Sequence, residues 1–335
     1  MKKIFIVVVA RKQEDAPVIR HNTLFSRNQI WIHRMLTQRN AVIAALLFLV
    51  FSPALLAQAS PKVLIVTAHP DDESGMAATV WKITHDLKGV VDLALVTNAE
   101  GGYKYSSLGN EIYGHELTDE DTGRAFLPAI RKKELMAGGD IIGIRNYFFF
   151  DEQDHKYTLN VDSTFGYVWD TAATARRLTT IMGNGGYDYV FCLLPTEGTH
   201  GHHKGATILA LEAAGRIPEQ DRPVVLGVSV SEKTDSVRET FTGLPGYPIT
   251  KVSNGMAGFT FDRTQKFGYR NRLDYKIIVN WLIAEHKSQG TMQLAMNRGD
   301  SENFWWFDVN PASRKDATRK LFERLARPYF PTLEY

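Results

Sequence analysis

From residue 60 onward, short apolar runs alternate with stretches whose apolar residues recur at helical spacing. Lys62 to Ala68, Val90 to Thr97, Tyr147 to Phe150, Tyr189 to Leu194 and Val224 to Val230 have strand length, and several are rich in Val and Ile. Between them the spacing predicts helices at about 73–88, 123–139, 165–182 and 202–215. Near-continuous apolar strands are covered on both faces, and strand–helix alternation supplies the cover. Beyond about residue 240 the pattern loosens. Gly, Pro and aromatics fill 241–261, a helix is expected near 265–287, and the aromatic FWWFD and a basic stretch at 314–327 form a tail. We expect residues 60–240 to be the core and 241–335 an extension packed on the same domain.

The pattern therefore defines an α/β class, a Rossmann-like three-layer sandwich with a mostly parallel sheet. In such sheets the ligand crevice lies beyond the carboxyl ends of the strands, so loops that follow strands carry the functional weight. Five loops qualify: HPDDE (69–73), NAEGGY (98–103), DEQDH (151–155), PTEGTHGHHKG (195–205) and Ser229 to Lys233. Of the ten histidines, His69, His200, His202 and His203 fall into two of these loops. The active site is expected at this edge of the sheet.

Charge and composition refine the picture at the N-terminus. Eight of the 39 Lys and Arg and two of the 37 acidic residues lie in 1–59, leaving 60–335 with 31 basic and 35 acidic side chains, a net −4. A mildly acidic body has no electrostatic footprint for nucleic acid. From Met35 the chain reads as a signal peptide: Arg39, an apolar core from Ala41 to Phe51, then Ala57-Gln58-Ala59 as a small-x-small cleavage signal. About 17 apolar-leaning residues interrupted by Ser52 and Pro53 sit at the short limit for a span, so cleavage after Ala59 is the reading over an uncleaved anchor, with Met35 an alternative to Met1 as the start of translation. The product would be exported (periplasmic, envelope-associated or secreted) and carry no stable membrane span. The single cysteine, Cys192, lies in the apolar run YVFCLLP, where a small buried hydrophobe is its role; no internal disulfide is available.

The chemistry concentrates in two loops. Divalent metals bind neutral imidazole and carboxylate oxygen, and a catalytic centre keeps about three protein ligands with a position open for water. His69 and Asp72 are three apart on a tight turn, and His203 lies in the other His-rich loop, which parallel strands would bring alongside. Two adjacent Asp before a helix are also ordinary capping chemistry. The conjunction at two strand ends favours a hydrolytic metal site, with Asp71 and His200 left over as residue types suited to proton transfer and oxyanion stabilisation.

AHPDDE followed downstream by HxxH resembles the PIG-L/LmbE-like family of metal-dependent deacetylases, which remove acetyl from N-acetylglucosaminyl groups. LVTNAEGG (95–102), RKKEL (131–135) and AEHKSQ (284–289) match, more weakly, the family's T-x-G-E-like turn, R-x-x-E-L helix and late H-x-S-Q segment. The resemblance implies that His69, Asp72 and His203 ligate the metal, Asp71 is the general base, and a protonated His200 stabilises the oxyanion. It places Arg131 against sugar hydroxyls. Arg131 could equally form an intrahelical pair with Glu134. Asp151 follows a strand and is a pocket-lining candidate or a cap; Glu100, Asp154, His155 and His286 are weaker candidates. Two positions depart from the pattern. His202 stands where the family often has Asp, so the groups behind the ligands must be built differently, and Ala99 stands where Gly is common.

The expected reaction is hydrolysis of an N-acetyl group on an amino sugar or glycan, with one divalent ion: zinc from the ligand types, and Fe(II) suited by the same set. Tyr103, Tyr105, Trp305 and Trp306 could stack on sugar faces or serve packing. Two other classes compete. A non-catalytic metal-containing glycan-binding protein would have no need of an unliganded Asp71. A metal-dependent phosphoesterase would call for a Gly-rich phosphate loop or extra carboxylates for a second metal, and neither is present. A dinucleotide enzyme is disfavoured because the turn after the first strand lacks G-x-G-x-x-G.

Overall fold

A computed structural model describes residues 60–329. The proposed signal segment lies outside the described residues. In chain order the elements are β1 (Lys62–Thr67), α1 (Ala77–His85), β2 (Val90–Thr97), α2 (Ser107–Tyr113), α3 (Glu120–Ile142), β3 (Ile144–Glu152), α4 (Val161–Tyr167), α5 (Thr171–Gly185), β4 (Tyr189–Leu193), α6 (Gly201–Gly215), β5 (Val224–Ser231), β6 (Phe259–Asp262), β7 (Lys266–Phe267), β8 (Leu273–Asp274), α7 (Lys276–Glu285), α8 (Gly290–Gln293), β9 (Ser301–Trp306) and α9 (Lys315–Leu325).

Seven strands form one sheet in the order β3-β2-β1-β4-β5-β9-β6. The first five are parallel, and β9 and β6 add antiparallel. Alternation within each strand explains the two cores. On β1, Val63 and Ile65 enter one apolar cluster with Met76 and Ile83 of the first helical layer, whereas Leu64 and Val66 enter another with Leu209 and Ala213 of α6. Both faces are sealed, as the continuous apolar strands require. Cys192 is buried in the second cluster, and burial pushes its thiol up to about 12.

Several boundaries differ from the sequence pattern. The helix expected from residue 73 opens as a single tight turn, Asp72–Met76, before α1 begins. The stretch at 165–182 is two helices, α4 and α5, with Asp170 capping the second by accepting from Ala173 N at 2.9 Å. Only 276–285 of the expected helix at 265–287 is α-helical; 266–274 holds the β7–β8 pair, joined through a short 3-10 turn at 269–271. FWWFD is no tail: Phe304, Trp305 and Trp306 belong to β9 between β5 and β6. Among the described residues, no helix is long and apolar enough to cross a membrane.

Going outward from β1, the chain proceeds through β2 and β3 to one side and through β4 and β5 to the other. A topological switch point therefore lies between β1 and β4, where the loops after the two strands part and leave a crevice. HPDDE follows β1 and PTEGTHGHH follows β4, so the topology brings the two polar loops to one place.

Candidate active site

The turn after β1 is organised around Asp72. Its Oδ2 accepts the backbone N–H groups of Ala68 (3.0 Å) and His69 (2.9 Å), which leaves Oδ1 facing His203 Nε2 at 3.0 Å. His69 Nδ1 lies 2.9 Å from the same His203 nitrogen. Ligand atoms of His69, Asp72 and His203 thus lie within 4.8 Å of one another. Two ring nitrogens and a carboxylate oxygen turned toward one point are lone pairs that a single cation satisfies together, and the donor types suit zinc or Fe(II). The residues present fit a divalent metal.

The electrostatics agree. Burial alone would lower the pKa of His69, but the Asp154, Asp72 and Asp71 carboxylates around it raise it to about 9. Asp72 is held low despite burial by His203, His69 and its backbone donors. Three carboxylates around one imidazole make a pocket that attracts positive charge.

Asp71, one residue earlier, is arranged differently. It has φ 129°, a conformation L-residues rarely adopt, and it borders the cavity, with burial and the adjacent Asp72 raising its pKa. His200 caps α6, its Nδ1 accepting from the His202 N–H at 3.0 Å. With Nδ1 an acceptor, the ring proton belongs on Nε2. Burial and the neighbouring histidines lower the His200 pKa to about 3. In this geometry His200, expected to act as a protonated ring, accepts at Nδ1 and is placed to donate through Nε2–H.

His202, in the place where an aspartate was expected, is buried, and the carboxylate comes from another loop. Asp154 Oδ1 lies 3.4 Å from His69 Nε2 and 3.3 Å from His202 Nδ1, while its Oδ2 accepts from Gly101 N at 3.1 Å. A carboxylate behind a metal-ligating imidazole orients the ring and strengthens it as a donor. The close approach explains Gly101: a Cβ there would meet Asp154 Oδ1 at 2.5 Å. Ala99 in the same loop adopts φ 63°, the left-handed conformation glycine would take without strain.

Two expected site residues are reassigned. Arg131 is buried and its guanidinium is engaged by the 99–106 loop, donating to Gly101 O at 2.6 Å and Ala99 O at 3.4 Å, with Ser106 Oγ at 3.4 Å. It borders the cavity but serves as a loop anchor, not as a free hydroxyl binder. Asp151 lies outside the cavity and pairs with Lys132. Its side chain is diverted by a bulge: two steps on β2, Leu95 to Thr97, face three on β3, Phe149 to Glu152, and Asp151 absorbs the extra residue at φ 60°. Asp154, three residues on, reaches the site instead.

The weaker candidates resolve as supports. Glu100 pairs with Arg124 at 3.1 Å and accepts from Gln153. His155 is exposed, and its carbonyl accepts from Arg124. Glu134 is held by no Arg131 ion pair; it accepts from Ser288 N (2.7 Å), Ser288 Oγ (2.6 Å) and Tyr113 (2.7 Å), so RKKEL and AEHKSQ meet in space. Trp305 and Trp306 are core residues, and Tyr103 packs beside Arg124.

The cavity holds about 460 Å³ and is bordered by His69, Asp71, Asp72, His200 and His203 at its polar end and by Leu193 and Met292 along an apolar wall. Tyr105 and Tyr157 stand exposed at its mouth, Tyr157 edge-on to His200 at 4.9 Å between ring centres. Tyr157 and Gln289, also in the lining, were missed from sequence. An aromatic two residues past a polar loop motif is the one local signal that could have drawn attention to Tyr157.

The fold is of α/β class, and the donor set at its sheet edge suits a divalent metal. Residues 64–214 match the model of the PIG-L family, described as GlcNAc-PI de-N-acetylase. A relative, the probable N-acetyl-alpha-D-glucosaminyl L-malate deacetylase 2 of Bacillus cereus, is 25% identical over 175 residues, 52% of this chain and 70% of the relative. Among solved structures, the N,N'-diacetylchitobiose deacetylase of Pyrococcus horikoshii is 20% identical with a TM-score of 0.41, covering 79% of this chain and 91% of that one. The 4-carboxy-2-hydroxymuconate hydratase of Pseudomonas putida is 15% identical with a TM-score of 0.45, covering 73% and 95%.

Proposed function

We propose that the protein is a metal-dependent N-deacetylase that hydrolyses the acetamido group of an N-acetylated amino sugar of the N-acetylglucosaminyl type. The observation that carries this reading is the division between neighbours: Asp72 faces His69 and His203 with one oriented oxygen, while Asp71 borders the cavity beside them. The family match and the deacetylase relative support the choice of an amide over other bonds.

His69, Asp72 and His203 would hold the ion, zinc or Fe(II). When bound, it supplies Lewis acidity, bringing the pKa of water from near 16 toward about 7 and polarising the acetamide carbonyl. Asp71 takes the proton from the attacking water, and His200 Nε2–H donates to the oxygen on which negative charge develops. Asp71 then returns the proton to the departing amine, and acetate and a free amino sugar result. Asp154 holds the His69 ring, Leu193 and Met292 line the apolar wall, and Tyr105 and Tyr157 offer ring faces at the mouth. The signal-like pattern at 35–59 supports an envelope or extracellular glycan as the substrate pool.

The test is acetate release by the purified, metal-analysed protein from a panel of N-acetylated sugars, with Asp71→Ala as control. Acetate from at least one sugar, abolished in the control, is the expected result. A protein that binds metal and releases no acetate from any of them would be a binding protein instead.

A further inference from the structure

The peptide unit joining Pro70 to Asp71 is gripped at both polar atoms by residues the reaction scheme leaves unused. Its N–H, that of Asp71, donates to Glu73 Oε2 at 2.9 Å. Its carbonyl, that of Pro70, accepts from Gln289 Nε2. His286 connects the two grips: Nε2 donates to Glu73 Oε1 at 2.6 Å, and Nδ1 lies 3.4 Å from Gln289 Nε2. Glu73 and His286 are wholly buried and Gln289 nearly so. The Asp71–Glu73 contact is local, but His286 to Glu73 and Gln289 to Pro70 span 213 and 219 residues of chain, so no local turn accounts for those two.

The gripped unit precedes the Asp71 N–Cα bond, whose φ of 129° is strained. Such a conformation costs on the order of 1–3 kcal/mol and persists only where surroundings over-determine it. Turning the 70–71 peptide plane over would return Asp71 to an ordinary negative φ and release the strained turn that presents its carboxylate to the cavity. It would also place the Pro70 carbonyl against the Glu73 carboxylate and aim the Asp71 N–H at the Gln289 amide, a double mismatch in a buried setting. The adjacent ligand Asp72 needs no such brace, because its Oδ2 is fixed by Ala68 and His69 N–H groups.

We propose that His286, with Glu73 and Gln289, is a positioning unit that locks the Pro70–Asp71 peptide and so aims the Asp71 carboxylate at the reacting water without contacting it. The proposal rests on the deacetylase reading for its kinetic consequence, not for its geometry. His286→Ala leaves the bound metal at wild-type stoichiometry and KM unchanged, and lowers kcat about 10- to 100-fold, the usual cost of losing an outer orienting group. His286→Gln, which keeps an N–H within reach of Glu73, recovers most of that loss. In an Asp71→Ala background, His286→Ala lowers kcat no further, because it acts through the missing carboxylate.

Wild-type kcat in His286→Ala, loss of metal in step with activity, or a loss that adds in full to that of Asp71→Ala would each overturn the assignment. If wild-type protein releases no acetate at all, the deacetylase reading fails, and the brace is judged by crystallography alone: a negative φ at Asp71 in His286→Ala upholds it, and a retained positive φ overturns it. Should His286→Ala not fold, Gln289→Leu, which frees the Pro70 carbonyl and His286 Nδ1 but leaves the His286–Glu73 contact, is read by the same φ.

Discussion

Asp71 and Asp72 are covalent neighbours whose carboxylates face opposite demands. Asp72 is anchored by two backbone N–H groups through Oδ2 and faces His203 Nε2 through Oδ1 at 3.0 Å, and these partners hold its pKa low. Asp71 borders the open cavity, where burial and Asp72 push its pKa up. Asp72→Ala is therefore expected to lose bound metal, and Asp71→Ala to keep it while turnover falls about 10²- to 10⁴-fold. Metal content by elemental analysis alongside acetate release decides this; equal metal loss in both variants would refute the division.

Asp154 stands behind His69 and His202 without facing the cation position itself. Asp154→Asn should weaken metal affinity by about 10- to 100-fold if the ring it orients, His69, is a ligand as proposed. Competition with a chromophoric chelator measures the shift. Unchanged affinity would make Asp154 a prop for the Gly101 loop alone.

Arg131 ties the 99–106 loop to α3 through main-chain carbonyls. Arg131→Ala leaves those buried acceptors unpaired and is expected to destabilise the fold by about 3 kcal/mol, read as a lower urea midpoint at unchanged slope. A free hydroxyl binder would instead show raised KM at wild-type stability.

Away from the site, Asp92 of β2 accepts from Arg145 at 3.0 and 2.8 Å, Asn146 at 3.0 Å and Tyr187 at 2.7 Å. Burial raises its pKa, but these partners outweigh it and the net shift is downward. A depressed folded-state pKa contributes stability that is present above the ordinary carboxyl value of about 3.9 and is lost as pH falls through the folded-state value. Asp92→Asn should thus be less stable than wild type at pH 7, and the gap should close as pH drops below about 4. Urea unfolding at both pH values checks the sign.

Sequence alone determined the layered α/β class and the edge on which the chemistry sits. Apolar strands alternating with amphipathic helices have one economical packing, and HPDDE and HGHH follow strands whose direction is set by that packing. The metal-ligand candidates His69, Asp72 and His203 were legible for the same reason, being short-range patterns at strand ends. Tertiary structure decided everything that depends on a partner distant in the chain. A one-residue bulge in β3 took Asp151 out and left Asp154 to reach His69. The carbonyls of the 99–102 loop claimed Arg131, and β5 and β6 claimed an aromatic segment that, by itself, looked like a tail. His286 meets Glu73 across 213 residues, a contact no periodicity encodes. Periodicity reports which face a residue shows; only the packed chain fixes what lies opposite that face, and hydrogen-bonding and charge depend on the latter.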